Sequence, residues 1–186
     1  MNLLLLAALG CVWLGLRAST PERMMTVAHA PHMAALEDAF AQNPDSVEYA
    51  EELADLYLAR GYGELAVVAL RRADHSVLEQ PRIALRLARA YENTGRLLDA
   101  LATSDLALDR CGRVLGTRSA QTPTPAYGCT QATYASIDMH KGALERMVRW
   151  GIVDPRTDPR ARRAYQLALR RARIALGVAD RAPAAN

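Results

Sequence analysis

Apolar positions through the middle of the chain recur at steps of three and four. In LADLYLARGYGELAVVALRRA, residues 53–73, Leu53, Leu56, Tyr57 and Arg60 keep the spacing of one helix face. Gly61 supplies a residue tolerant of left-handed backbone and predicts a stop, and Glu64 to Ala73 predicts a second helix. The phrasing returns 34 residues later in LARAYENTGRLLDALATSDLA, where Leu53 aligns with Leu87, Ala54 with Ala88, Tyr57 with Tyr91, Gly61 with Gly95, Ala66 with Ala100 and Ala73 with Ala107. The same step backward from Ala73 reaches Ala39 in PHMAALEDAFAQNPDS, so a half-unit precedes the first full one. Farther on, Ala143, Met147 and Gly151 repeat the spacing of Leu53, Tyr57 and Gly61, which predicts a third hairpin. Its second helix starts at Pro159, with Asp158 as N-cap and Tyr165, Leu169, Ala172 and Leu176 turned inward.

Repetition at a fixed period predicts hairpins that cannot bury their apolar stripes alone and therefore stack. The expected fold class is all-α: stacked antiparallel helical hairpins with a capping C-terminal helix. Here the chain resembles the tetratricopeptide repeat family, in its 34-residue period, its Leu-Ala pair followed by Tyr, its turn Gly and its paired Ala. The resemblance covers residues 31–110. Gly63 and Leu97 stand where the family has an aromatic at the turn, Ser104 takes a place that is usually bulky and apolar, and the closing Pro occurs only as Pro44.

The amino terminus follows another pattern. Leu3 to Leu16 carries no charge, and Arg17 and Arg23 bring charge back. As a helix the run would span about 21 Å, short of a hydrocarbon core, so residues 1–18 read as a signal or membrane-anchor segment and 19–30 as a linker. Ala8-Leu9-Gly10-Cys11 is similar to the lipobox of bacterial lipoproteins, which implies lipidation of Cys11; the other reading makes Cys11 one more apolar anchor residue. Cys111 and Cys129 flank a Gly-, Pro- and Thr-containing stretch, expected as a loop over 111–130, and a disulfide closing it implies an oxidising compartment. Free thiols, or a zinc site joined by His140, are the alternatives. Residues 131–177 hold the third hairpin and cap, and 178–186 a tail.

With 186 residues, 51% of them hydrophobic, and a single Phe, the core must be small and aliphatic, which fits helices. The net charge of +3 hides a division: residues 30–112 carry 14 acidic and 8 basic side chains, residues 140–182 carry 4 and 11. Such a basic segment attracts phosphates, anionic lipid or an acidic protein. It lacks the aromatic interleaving of a base-stacking surface, so no nucleic acid is expected.

The family's ligands lie along the concave wall made by the first helix of each unit. That resemblance implies a partner-binding face of Glu48, Glu51 and Asp55, then Arg82, Arg89 and Asn93, then Asp138, Lys141, Glu145 and Arg149. The alternative is a solvated face in which Glu51 or Asp55 pairs with Arg89. His29, His32, His75 and His140 have no carboxylate or nucleophile at a spacing that assembles a site, and neither a phosphate loop nor an HExxH motif occurs. The expected function is therefore a non-enzymatic scaffold without cofactor, metal or small-molecule substrate. It would bind a protein partner in a membrane or periplasmic complex of the bacterial envelope. A cytoplasmic-facing anchored adaptor and a cysteine-based metal or redox module are the competing readings.

Overall fold

The structure, a computed structural model, describes residues 30–116 and 128–175; the apolar run with Cys11, the centre of the cysteine-flanked segment and the tail lie outside the described residues. Contacts divide the chain into a unit of residues 1–34 and a unit of residues 35–186. Eight helices and no strand occur among the described residues: α1 Ala30–Gln42, α2 Val47–Ala59, α3 Gly63–Arg72, the single turn α4 His75–Leu78, α5 Pro81–Asn93, α6 Leu97–Gly116, α7 Gln131–Arg149 and α8 Pro159–Ala175. None of them is long and apolar enough to cross a membrane.

Local chemistry sets the helix starts. Ser46 caps α2 by accepting from the Tyr49 amide at 3.2 Å, and Thr130 caps α7 by accepting from the Thr133 amide at 3.1 Å. Pro81 opens α5 at its first position. Asp158 precedes Pro159 as expected, its carboxylate accepting from the Arg160 amide at 2.9 Å.

The helix stops are where the repeat becomes backbone geometry. Gly61, Gly95 and Gly151 have φ of +74°, +77° and +64°. The amide after each glycine bonds five residues back: Tyr62 to the Tyr57 carbonyl at 2.9 Å, Arg96 to Tyr91 at 2.8 Å, Ile152 to Met147 at 3.0 Å. Each glycine amide also bonds three residues back, to Leu58, Glu92 and Val148. This paired pattern is the Schellman closure, whose left-handed residue is strained with any side chain but glycine's. The third hairpin, legible only as three spaced residues, ends its first helix as the other two do.

Between the helices, α2 packs on α3 and α5, α3 on α5, α5 on α6, α6 on α7 and α7 on α8. Ala54, Ala66, Ala88, Ala100 and Ala107 are wholly buried, so helices approach closely at these positions, and Leu70, Ile83, Ile137, Leu144 and Met147 fill the spaces between. Each such large side chain contributes about 1.5–3 kcal/mol by leaving water.

Two expectations need correction. Cys111 lies in a helix rather than at the start of a loop, because α6 runs on to Gly116. Leu108, Cys111, Val114 and Leu115 continue its apolar stripe onto a cluster with Ala84, Leu85, Ala107, Cys129 and Ile137. On α8 the buried face is Ala161, Ala164 and Ala168, while Leu169 is exposed. The stripe centres on alanines because α8 lies close to α7: a Cβ on Gly142 would come within 3.9 Å of the Ala168 Cβ.

Candidate functional site

Two polar clusters grow out of this packing, one at the surface and one inside. The surface cluster lies between α2 and α5. Glu48, Glu51 and Asp55 occupy successive turns of α2, and Arg82 and Arg86 answer them from α5. Arg86 grips Asp55 with two parallel bonds of 2.8 and 3.0 Å and reaches Glu51 at 2.8 Å. Arg82 reaches Glu51 at 3.1 Å and Glu48 at 3.9 Å. The side-chain exposure runs from 17% at Glu51 to 80% at Glu48, so the ladder has a sheltered centre and a wet end. An exposed pair of this kind is worth about 0–1 kcal/mol; the bidentate Asp55 contact is the geometry that does better.

The partner of Glu51 and Asp55 is therefore Arg86, not the expected Arg89, which is exposed one turn farther along α5. Arg86 was legible as the residue one turn after Arg82, matching Asp55 one turn after Glu51. The Arg82 stem packs against Gly128, where a Cβ would come within 3.0 Å of Arg82 Cδ, and its Nε is buried without a hydrogen-bond partner.

The other expected face residues are distributed differently. Asn93 faces α3: a Cβ on Gly63 would lie 2.7 Å from the Asn93 Oδ1, an atom itself buried without a partner. The aromatic that the repeat family carries at the Gly63 position has no room here. Lys141 is engaged by α6, its Nζ 2.6 Å from Asp105, with Glu145 at 3.7 Å. The Asp105 hydrogen bond holds the ammonium above its ordinary pKa. Arg149 and Asp138 are exposed.

The interior cluster was not legible as a cluster. His140 on α7 is 1% exposed and is held on both ring nitrogens: Nδ1 lies 3.3 Å from Ser104 Oγ on α6, and Nε2 lies 2.8 Å from Glu92 Oε2 on α5. The Tyr165 hydroxyl on α8 donates to the same Glu92 oxygen at 2.5 Å, and its ring stacks on the imidazole with centroids 6.1 Å apart. Burial, followed by the Glu92 carboxylate, pushes the Tyr165 phenol far above its ordinary range. Four helices thus meet in one hydrogen-bonded chain. The expectation that no carboxylate or nucleophile joins His140 is overturned, because stacking brings Glu92 and Ser104 together from 48 and 36 residues away. The one trace in the sequence was Ser104, polar where an apolar residue belongs.

A serine, a histidine and a carboxylate in series is the connectivity of a nucleophile, its base and an orienting acid. The burial argues for another use. Ser104 is 0% exposed and lines neither of two clefts among the described residues: one of about 630 Å³ is lined by Asp105, Asp109, Arg113, Tyr134 and Lys141, and another of about 220 Å³ by Glu79, Pro81, Arg110 and Val114. What the arrangement does where it stands is satisfy its own polar groups in a dry site, which fixes the mutual setting of α5, α6, α7 and α8.

Cys111 and Cys129 form a disulfide, with Cα atoms 5.4 Å apart and both residues buried. It pins the end of α6 to the start of α7 and removes both sulfurs from the zinc alternative. Among the described residues, no group of three His, Cys, Asp or Glu side chains is placed to hold a metal ion. Comparison of the chain with protein-family models, with curated proteins and with solved structures finds no match.

Proposed function

We propose that the chain is a tetratricopeptide-like scaffold that binds a segment of a protein partner along the mixed-charge face of α2 and α5, as an assembly or accessory subunit of a membrane-associated or periplasmic complex. The observation that carries this reading is the recurrence of one helix-ending geometry at Gly61, Gly95 and Gly151, joined to packing of α2 on α3, α5 on α6 and α7 on α8 within hairpins and of α3 on α5 and α6 on α7 between them. Units that repeat in this way build extended faces rather than a closed pocket. On the α2 and α5 face the charged groups are held in place by one another, which presents a partner with an ordered array. The Cys111 to Cys129 disulfide favours an oxidising compartment over a cytoplasmic-facing adaptor.

The test is co-purification of the full chain from gently solubilised native membranes. A companion recovered at fixed stoichiometry is the expected result. A chain that comes away alone and soluble defeats both the tether and the subunit readings. Alkylation of the native protein before and after reduction checks the compartment: two thiols that react only after reduction are expected.

A further inference from the structure

The surface of α8 carries a charge pattern that the partner-binding reading does not use. Its 17 residues, PRARRAYQLALRRARIA, include six arginines and no acidic residue. Arg160 is occupied by Asp158 at 2.6 Å. Arg162, Arg163 and Arg170 are exposed, stand with Gln166 on the side opposite the buried Ala161, Ala164 and Ala168, and have no ion pair among the described residues. With no acidic residue on the helix, this face carries uncompensated positive charge that an anionic surface would complement. Several other cations are paired: Arg82 and Arg86 with three carboxylates, Arg96 with Asp99, Lys141 with Asp105.

We propose that Arg162, Arg163 and Arg170 dock α8 against the anionic lipid surface of the membrane that the apolar amino-terminal run enters. Two features favour lipid over an acidic protein. The arginines stand on the exposed side of one helix and line neither of the clefts described above, so they suit a plane of laterally mobile charges. The exposed Ile174, at 77%, adds an apolar side chain beside them. The proposal rests on the membrane reading above. Near an anionic surface each arginine raises partitioning about fivefold.

The experiment reconstitutes the full chain, with a photoreactive amino acid at Gln166, into vesicles of phosphatidylcholine alone or with phosphatidylglycerol as about one third of the lipid. Lipid adducts several-fold more abundant with phosphatidylglycerol, and suppressed by 0.5 M salt, are expected. The milder Arg162→Gln with Arg170→Gln, and the stronger Arg162→Glu with Arg170→Glu, should lower them in that order while helicity stays unchanged. Equal adducts in both vesicles, no adducts, or adducts on a protein in native membranes overturn the proposal. Flotation with neutral vesicles in high salt reads the apolar run alone. A chain that floats there without anionic-lipid adducts keeps its tether and loses the docking surface; one that binds only anionic vesicles keeps the surface and loses the tether.

Discussion

The ladder between α2 and α5 and the chain of bonds through α5 to α8 use similar side chains to opposite effect. In the ladder, Glu51 and Arg86 form the sheltered centre, while Asp55 and Glu48 lie open to water that competes for their contacts. In the interior, Glu92 and His140 meet at the same 2.8 Å, but one is 13% and the other 1% exposed. Losing a partner there leaves a polar group that water cannot reach. Distance alone does not rank these contacts. Burial makes the interior chain a determinant of stability and leaves the ladder available for recognition.

That contrast can be broken in graded steps. His140→Ala empties a packed site and strands Glu92, and should cost about 3–5 kcal/mol of unfolding free energy by urea titration. Replacing Cys111 and Cys129 together by Ala should cost about 3 kcal/mol, since the bond closes a separation of 18 residues. Tyr165→Phe should cost about 2 kcal/mol at neutral pH by removing the hydrogen bond to Glu92.

The same substitution has a pH signature. The folded-state pKa of Tyr165 lies above the unfolded value near 10, so its contribution is complete below about pH 10 and is lost as pH rises beyond it. Tyr57 is also raised, by burial and by the hydroxyl bond to Glu37. Stability followed from pH 9 to 12 should therefore fall less steeply in Tyr165→Phe than in the wild type, and least in the double variant with Tyr57→Phe. Smaller effects follow. Ser104→Ala should cost about 1 kcal/mol. Arg86→Ala should cost about 1 kcal/mol or less and fade as salt is raised, whereas the His140→Ala loss should not. An equal salt dependence of the two would erase the distinction between the clusters.

How much of this was legible depends on whether a feature is periodic. Helix faces and stops follow local rules, so Tyr57, Gly61 and their counterparts located the hairpins, and the ladder's α2 side came from the family resemblance laid over them. Contacts between units obey no local rule. Arg86 and Arg89 both stand on α5 at helical steps from Arg82, and only the relative setting of α2 and α5 selects Arg86. Glu92, Ser104 and Tyr165 are separated from His140 by up to 48 residues, and each looks ordinary in its own helix. The end of α6 was missed because the apolar steps at Val114 and Leu115 run into a segment rich in turn residues. The expected inward Leu169 lost its place to Ala168 because close approach of α8 to α7 favours a small side chain at the contact.

The central claim is that the α2 and α5 face binds a partner. It is tested most directly by the fourfold exchange Glu51→Arg and Asp55→Arg with Arg82→Glu and Arg86→Glu, which keeps opposite charges facing each other at these contacts while inverting the pattern shown to a ligand. Wild type and exchange variant would be recovered from gently solubilised native membranes, with thermal unfolding measured on both. The account predicts that the stoichiometric companion is lost while the melting temperature changes little. Retention of the companion at wild-type stoichiometry by an equally stable variant would contradict it.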